Sequence, residues 1–145
     1  MKKCCFVLSV LALLMSFSSC GTTDSLAYDA AIQEILQNED AAVFTLGRTL
    51  ILAGIDDMSS EDIDGFEDYS NHKTQIFTVS PGVHSVKVRY KNDKSSSLST
   101  VALFAKFEKG MLYKVTCKVL SHKLYYDIVN EETSESVLLG VKILH

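Results

Sequence analysis

The sequence predicts a mostly β protein: an antiparallel β-sandwich of the immunoglobulin or transthyretin type, with about seven or eight strands preceded by one short helix. Short apolar or alternating segments recur from residue 41 to residue 145. Turn-forming residues such as Pro81-Gly82 and Glu108-Lys109-Gly110 separate these segments. With 145 residues, of which 47% are hydrophobic and 22% charged, the chain has the composition of one globular domain.

The helix is predicted at about residues 26–38. Apolar side chains recur there at the spacing of one helix face, at Tyr28, Ala31, Ile32, Ile35 and Leu36. We expect this face to pack on the body of the domain.

The first strands are predicted from apolar runs at 42–46 and 49–55. They read as two buried strands or one bent strand, and a continued helix is the alternative. Further strands are expected at 73–79 and 84–91, joined as a hairpin that places Phe77 opposite Val86.

The second half of the chain predicts four more strands. Segments 101–107 and 111–119 are expected to form a hairpin with Leu103 opposite Val115 and Val101 opposite Cys117. Strands at 124–129 and 137–143 follow. The predicted buried residues are Val86, Val88, Leu103, Val115, Cys117 and Val141.

The first nineteen residues have the parts of a secretory signal peptide. Lys2 and Lys3 give a positive start, residues 4–17 are almost wholly apolar, and small residues follow. The apolar stretch is shorter than the roughly 20 residues that a spanning helix needs. A signal peptide is therefore favoured over an uncleaved anchor.

The segment Phe17-Ser18-Ser19-Cys20 resembles a bacterial lipobox of the looser kind found in spirochaetes. The resemblance implies that Cys20 is lipidated, with palmitate-type acyl chains, and becomes the first mature residue. Gly21 in the next position implies transfer to the outer membrane, with the periplasmic or surface face left open. A simple secretory signal is the alternative. The expected organisation is a signal peptide at 1–19, a tether and helix at 20–40, and a sandwich at 41–145.

Three further motifs resemble those of small bacterial lipoproteins with a PEGA-like β-sandwich. They are Ile55-Asp56-Asp57, Pro81-Gly82-Val83-His84 and Gly110-Met111-Leu112-Tyr113. The resemblance implies a fold and carries no catalytic residue.

Charge is unevenly distributed along the chain. Seven acids fall within residues 56–68: Asp56, Asp57, Glu61, Asp62, Asp64, Glu67 and Asp68. We expect a mobile acidic loop that forms a partner or cation surface, although a full calcium-loop spacing is absent. Lys87, Arg89 and Lys91 form a basic stripe, expected to be solvated or to contact acidic glycans, lipid headgroups or the acidic loop.

Catalytic, metal and cofactor motifs are not found in the sequence. There is no Gly-x-Ser-x-Gly motif or phosphate-binding loop, and the four histidines lack metal-ligand spacing. We expect His84 to support its turn by a hydrogen bond; a metal pair with His122 is the alternative. Cleavage before Cys20 would leave Cys117 without a disulfide partner.

The functional expectation is a lipid-anchored, non-catalytic binding or adaptor module of the cell envelope, contacting envelope proteins or glycans. A net charge of −4 gives no drive toward nucleic acid. The first alternative is a structural lipoprotein that joins an assembly through a sheet edge, and the remote alternative is a metal carrier or an enzyme.

Overall fold

The fold is a β-sandwich of two five-stranded sheets. The computed structural model describes residues 30, 32–37, 40–63, 67–69, 74–92, 97 and 99–145. The predicted fold class is confirmed, with ten strands in the described residues instead of seven or eight. The strands are β1 (Ala42–Leu46), β2 (Leu50–Ile55), β3 (Met58–Ser59), β4 (Glu67–Tyr69), β5 (Thr74–Val79), β6 (Gly82–Tyr90), β7 (Thr100–Phe107), β8 (Leu112–Leu120), β9 (Lys123–Asn130) and β10 (Leu138–Leu144).

The first sheet has the strand order β4-β5-β1-β8-β9, and the second has the order β10-β7-β6-β2-β3. Neighbouring strands are antiparallel except β1 and β8, which are parallel, with Val43 beside Leu112. Because β1 lies between β5 and β8, a strand from the start of the domain occupies the centre of the first sheet.

The core lies between the two sheets and is built around an aromatic cluster. The Phe44 ring stacks on Phe77 with centroids 5.3 Å apart, and Phe107 meets the edge of Tyr113 at 5.0 Å. Aliphatic side chains from both sheets fill the remaining space. Four of the residues predicted to be buried are fully buried here: Val86, Val88, Leu103 and Val115.

A helix, α1, includes residues 30 and 32–37 and packs on the outer face of the first sheet. Ile32 is buried against Val43 and Ile76, with Ile35 and Leu36 at the rim of the contact. This confirms the predicted helix and its packing on the domain. None of the helices in the described residues has the length and apolar character needed to cross a bilayer.

Both predicted hairpins are wrong, because each short turn carries the chain from one sheet to the other. Phe77 in β5 lies opposite Phe44, whereas Val86 in β6 lies opposite Ile55 and Leu103. Likewise β7 pairs with β6 and β10, and β8 pairs with β1 and β9. A strand with one apolar face can bury that face in the same sheet as the preceding strand or in the opposite sheet. Alternation alone therefore does not select the partner strand.

Two residues predicted to be buried are more exposed. Val141 is 50% exposed because β10 lies at the edge of its sheet. Cys117 is half-buried at the margin of the core. Burial raises the pKa of its thiol, partly offset by a backbone hydrogen bond involving Tyr125, so the thiol is predominantly protonated at neutral pH.

Candidate functional site

Asp56 and His84 join two parts of the chain that are distant in sequence and lie at the neighbouring strands β2 and β6 of the second sheet. Asp56 follows β2 with a left-handed backbone (φ 50°), and His84 lies near the start of β6. His84 Nδ1 is 2.6 Å from Asp56 Oδ2. The backbone N–H of Ser85 donates to Asp56 Oδ1 at 2.8 Å. The turn after β2 is thereby fixed to β6 through one carboxylate.

The second ring nitrogen of His84 reaches back across the Pro81-Gly82 turn. Its Nε2 is 3.3 Å from Ser80 Oγ. The predicted turn-supporting hydrogen bond of His84 is therefore confirmed. Gly82, with φ 140°, takes a conformation that side chains disfavour, and this lets the chain reverse within hydrogen-bonding reach of His84.

The carboxylate of Asp56 is charged at neutral pH. Burial raises its pKa. The hydrogen bonds with His84 and the Ser85 N–H and the charge of His84 together lower the pKa by more than burial raises it, so the pKa lies below the ordinary value. The order Ser80, His84, Asp56 is also that of a hydrolase triad. However, the residue after the serine is Pro81, which has no N–H to donate to an oxyanion, the role of that position in nucleophile-elbow enzymes.

The described part of the acidic segment has regular secondary structure, where the sequence analysis expected a loop. Its described part forms a turn, the short strand β3 and a 3-10 turn at Ser60–Asp62, in which Ser59 Oγ donates to Asp62 at 2.8 Å. The exposed acids of this part are Asp57, Glu61 and Asp62. Asp64 and the side chains of Glu67 and Asp68 lie outside the described residues.

A shallow cavity of about 270 Å³ lies between this segment and His84. Its lining combines apolar side chains, such as Ile55 and Met58, with polar ones, such as Asp62 and Ser80. Within the described residues, no three His, Cys, Asp or Glu side chains are close enough to hold a metal ion. His84 lies beside Phe107, near the start of β8, whereas His122 follows the other end of β8, so the alternative metal pair is not formed.

The basic stripe lies on or beside the outer face of the second sheet. Lys87 is half-buried, Arg89 is exposed, and Lys91 follows the end of β6. Among the ion pairs of the described residues, none involves this stripe, so it is not neutralised by Asp56, Asp57, Glu61 or Asp62.

A second site, a groove of about 540 Å³, was missed by the sequence analysis. It lies on the outer face of the β8–β9 hairpin, against the turn at 130–136. Strand alternation places Lys114, Thr116 and Lys118 on this face, beside Tyr125 and Asp127 of β9. The hairpin turn at Ser121 and His122 has two positive φ angles, as a type I′ turn requires.

The rim of the groove is held by local hydrogen bonds. Asn130 Oδ1 accepts from the backbone N–H groups of Glu132 and Thr133, at 2.8 and 3.1 Å. Ser136 Oγ donates to Asp127 Oδ1 at 2.5 Å. The turn is therefore preorganised, and Asp127 is fixed before any ligand arrives.

The groove combines an aromatic surface with charges of both signs. Tyr125 is 52% exposed, and Lys118 lies opposite it on the neighbouring strand. The Nζ atom of Lys114 is 3.9 Å from Oε1 of Glu131. The lining supplies two cations, Lys114 and Lys118, and two carboxylates, Asp127 and Glu131. Such a lining suits a polar ligand of little net charge that both donates and accepts hydrogen bonds. The alternation of polar residues at 114–118 could have indicated the polar face of this groove. The sequence did not indicate that the turn at 130–136 closes it.

Comparison with known proteins finds no matching family model, no matching curated protein and no matching solved structure. Cys20, the predicted lipidation site, lies outside the described residues.

Proposed function

We propose that the protein is a lipid-anchored, non-catalytic binding module of the bacterial cell envelope, held in the outer membrane through acyl chains on Cys20. The signal-peptide pattern and the lipobox resemblance of Phe17-Ser18-Ser19-Cys20 support the anchor. One acyl chain binds a bilayer only marginally, so stable attachment takes more than one chain.

The groove on the β8–β9 hairpin is the observation that carries the binding role. We propose that it takes a neutral glycan. The half-exposed Tyr125 ring offers a surface for sugar C–H groups, while Asp127 and Glu131 accept hydrogen bonds from hydroxyls and Lys118 donates one. The hydrogen-bonded turn at 130–136 limits the ordering cost of binding.

The binding role is tested with the full chain on an array of neutral and acidic glycans. Tyr125→Ala and Lys118→Ala should each weaken capture at least several-fold. Val83→Ala is the matched control, because Val83 is similarly exposed (60%) but lies on the second sheet. Equal capture by all variants would remove the groove from the proposal. If the parent chain binds no glycan on the array but captures envelope proteins, and Tyr125→Ala and Lys118→Ala lose that capture, the module is a protein adaptor.

The anchor is tested by metabolic labelling with a palmitate analogue. Cys20→Ala should abolish the label, whereas Cys117→Ala, which changes the half-buried core cysteine, should retain it. Label that persists in Cys20→Ala, or a mature N-terminus elsewhere, contradicts the proposal.

Ser80 is proposed to have a structural and not a nucleophilic role, because Pro81 removes the adjacent oxyanion donor. A fluorophosphonate probe should leave Ser80 unlabelled. Labelling that disappears in both Ser80→Ala and His84→Ala would instead identify a hydrolase.

A structural envelope lipoprotein that assembles through a sheet edge is the second candidate. It is favoured by one observation, the apolar and exposed edge strand β10.

A further inference from the structure

The edge strands of the two sheets differ in how far they are protected. In the described residues, β3 has two residues and β4 has three, so neither offers a long template. Strand β9 is partly covered by the bridge between Val129 and Ser136. Strand β10 has seven residues and, among the described parts of the chain, pairs with β7 alone, which leaves a row of backbone N–H and C=O groups along its other side.

The side chains of β10 are apolar and exposed. Leu139, Val141 and Ile143 are 65%, 50% and 56% exposed. Val141 and Ile143 lie opposite Leu103 and Val101 and so share the inner face of the sheet with these core residues. The apolar face of the second sheet therefore continues to its edge, where nothing in the described residues fully covers it. A bulge at Leu139 leaves Gly140–Leu144 regularly paired with β7.

The sequence of β10 is complementary to itself in one antiparallel register. When Val141 lies opposite Val141 of a second copy, Ile143 meets the bulge residue Leu139 of that copy. Lys142 then lies opposite Gly140 and not opposite another lysine. A slide of two residues, which centres the pair on Lys142, places two like charges in direct opposition, which is destabilising. Of these two registers, charge favours the one centred on Val141.

We propose that β10 pairs antiparallel with β10 of a second copy of this chain, centred on Val141, so that two sandwiches share a continuous ten-stranded sheet. This dimer is independent of the glycan role, since the groove lies on the outer face of the other sheet. A single strand pair is a small interface, so its affinity is modest in solution. Confinement of two anchored copies to one membrane raises their effective concentration and favours pairing.

Disulfide trapping tests the register in the full chain with Cys117→Ser. Residues directly opposite in antiparallel strands have Cα atoms about 4.5–5.5 Å apart, within disulfide reach, whereas diagonal neighbours are at about 7–8 Å. Val141→Cys should form a cross-linked dimer upon mild oxidation. Lys142→Cys is the matched control and should cross-link at least tenfold less. The Cys117→Ser chain without an added cysteine measures the cross-linking that its remaining cysteines cause. Equal or preferential cross-linking of Lys142→Cys overturns the proposal.

A second variant separates pairing from folding. Val141→Lys adds a like charge at the centre of the pair at a half-exposed position. We expect sedimentation of the detergent-solubilised full chain to change from dimer to monomer, with an unchanged circular dichroism spectrum. A parent chain that remains monomeric at tens of micromolar, together with no Val141→Cys cross-link in membranes, overturns the proposal and leaves the glycan test unaffected.

Discussion

His84 Nδ1 and Asp56 Oδ2 are hydrogen-bonded at 2.6 Å, although the two residues are 28 positions apart in the chain. The pair connects two sequence motifs, Ile55-Asp56-Asp57 and Pro81-Gly82-Val83-His84. The carboxylate also accepts the Ser85 N–H. These motifs therefore meet at one polar contact that fixes the turn between β2 and β3 against β6.

Asp56→Asn should destabilise the domain by about 1 kcal/mol. A hydrogen bond to a charged group is worth about 1.5–3 kcal/mol, and the 43% exposure of the Asp56 side chain reduces this through solvent screening. Asp57→Asn is the control, because Asp57 is exposed and adjacent in sequence. Chemical denaturation of both variants measures the difference. Equal midpoints for Asp56→Asn and the parent would show that the pair adds nothing to stability.

The same pair predicts a loss of stability in acid. The pKa of Asp56 in the folded state lies below its ordinary value of 3.8. Its contribution is therefore fully present above pH 3.8 and is lost as the pH falls through the lower folded pKa. The difference in unfolding free energy between the parent and Asp56→Asn should be constant from pH 5 to pH 6 and shrink below about pH 4. A difference that grows in acid would contradict this assignment.

Gly54→Ala should destabilise the β2–β3 hairpin. A Cβ atom at this position would collide with the backbone carbonyl oxygen of Met58, which a side-chain rotation cannot relieve. Overpacking of this kind costs about 1–3 kcal/mol. Gly140→Ala is the control, since a Cβ there meets nothing within 4 Å among the described residues. Thermal melts that rank the two variants in the opposite order would show that β3 shifts freely.

Tyr126→Phe should stabilise the domain by about 1 kcal/mol. The Tyr126 hydroxyl is buried and finds no hydrogen-bond partner in the described residues, so removing it relieves a desolvation penalty. Tyr113→Phe should have the opposite effect, because the Tyr113 hydroxyl accepts the backbone N–H of Glu108 at 2.9 Å. Urea midpoints of the two variants give the comparison. A loss of stability in Tyr126→Phe would indicate a partner for that hydroxyl.

Strand positions were predictable from the sequence because alternation and turn residues act locally. Segments 42–46, 101–107 and 124–129 fall on observed strands. Strand partners were not predictable, since Pro81-Gly82 and Gly110 serve equally as hairpin turns or as links between sheets. Val141 shows the same limit, because its apolar side chain does not reveal that its strand lies at an edge.

The sequence predicted a role within the candidate site only for a single residue and its own turn, and did not predict the contacts between distant segments. His84 was expected to support its turn, and it does, but its partner Asp56 was assigned to a mobile loop. That pairing depends on β2 and β6 being neighbours, which is a property of the sheet order. The groove depends on the β8–β9 hairpin and the turn at 130–136 together, so no single segment encodes it.

The parallel pairing of β1 with β8 constrains when the domain can form during synthesis. Thr45 of β1 donates to the carbonyl of Tyr113, 68 residues later. The central strand of the first sheet therefore lacks one neighbour until most of the chain has left the ribosome. Contacts of such long sequence separation slow folding, because the chain loses the entropy of loop closure before strand pairing contributes favourable free energy. A nascent chain of this topology therefore completes its central sheet only late in its synthesis.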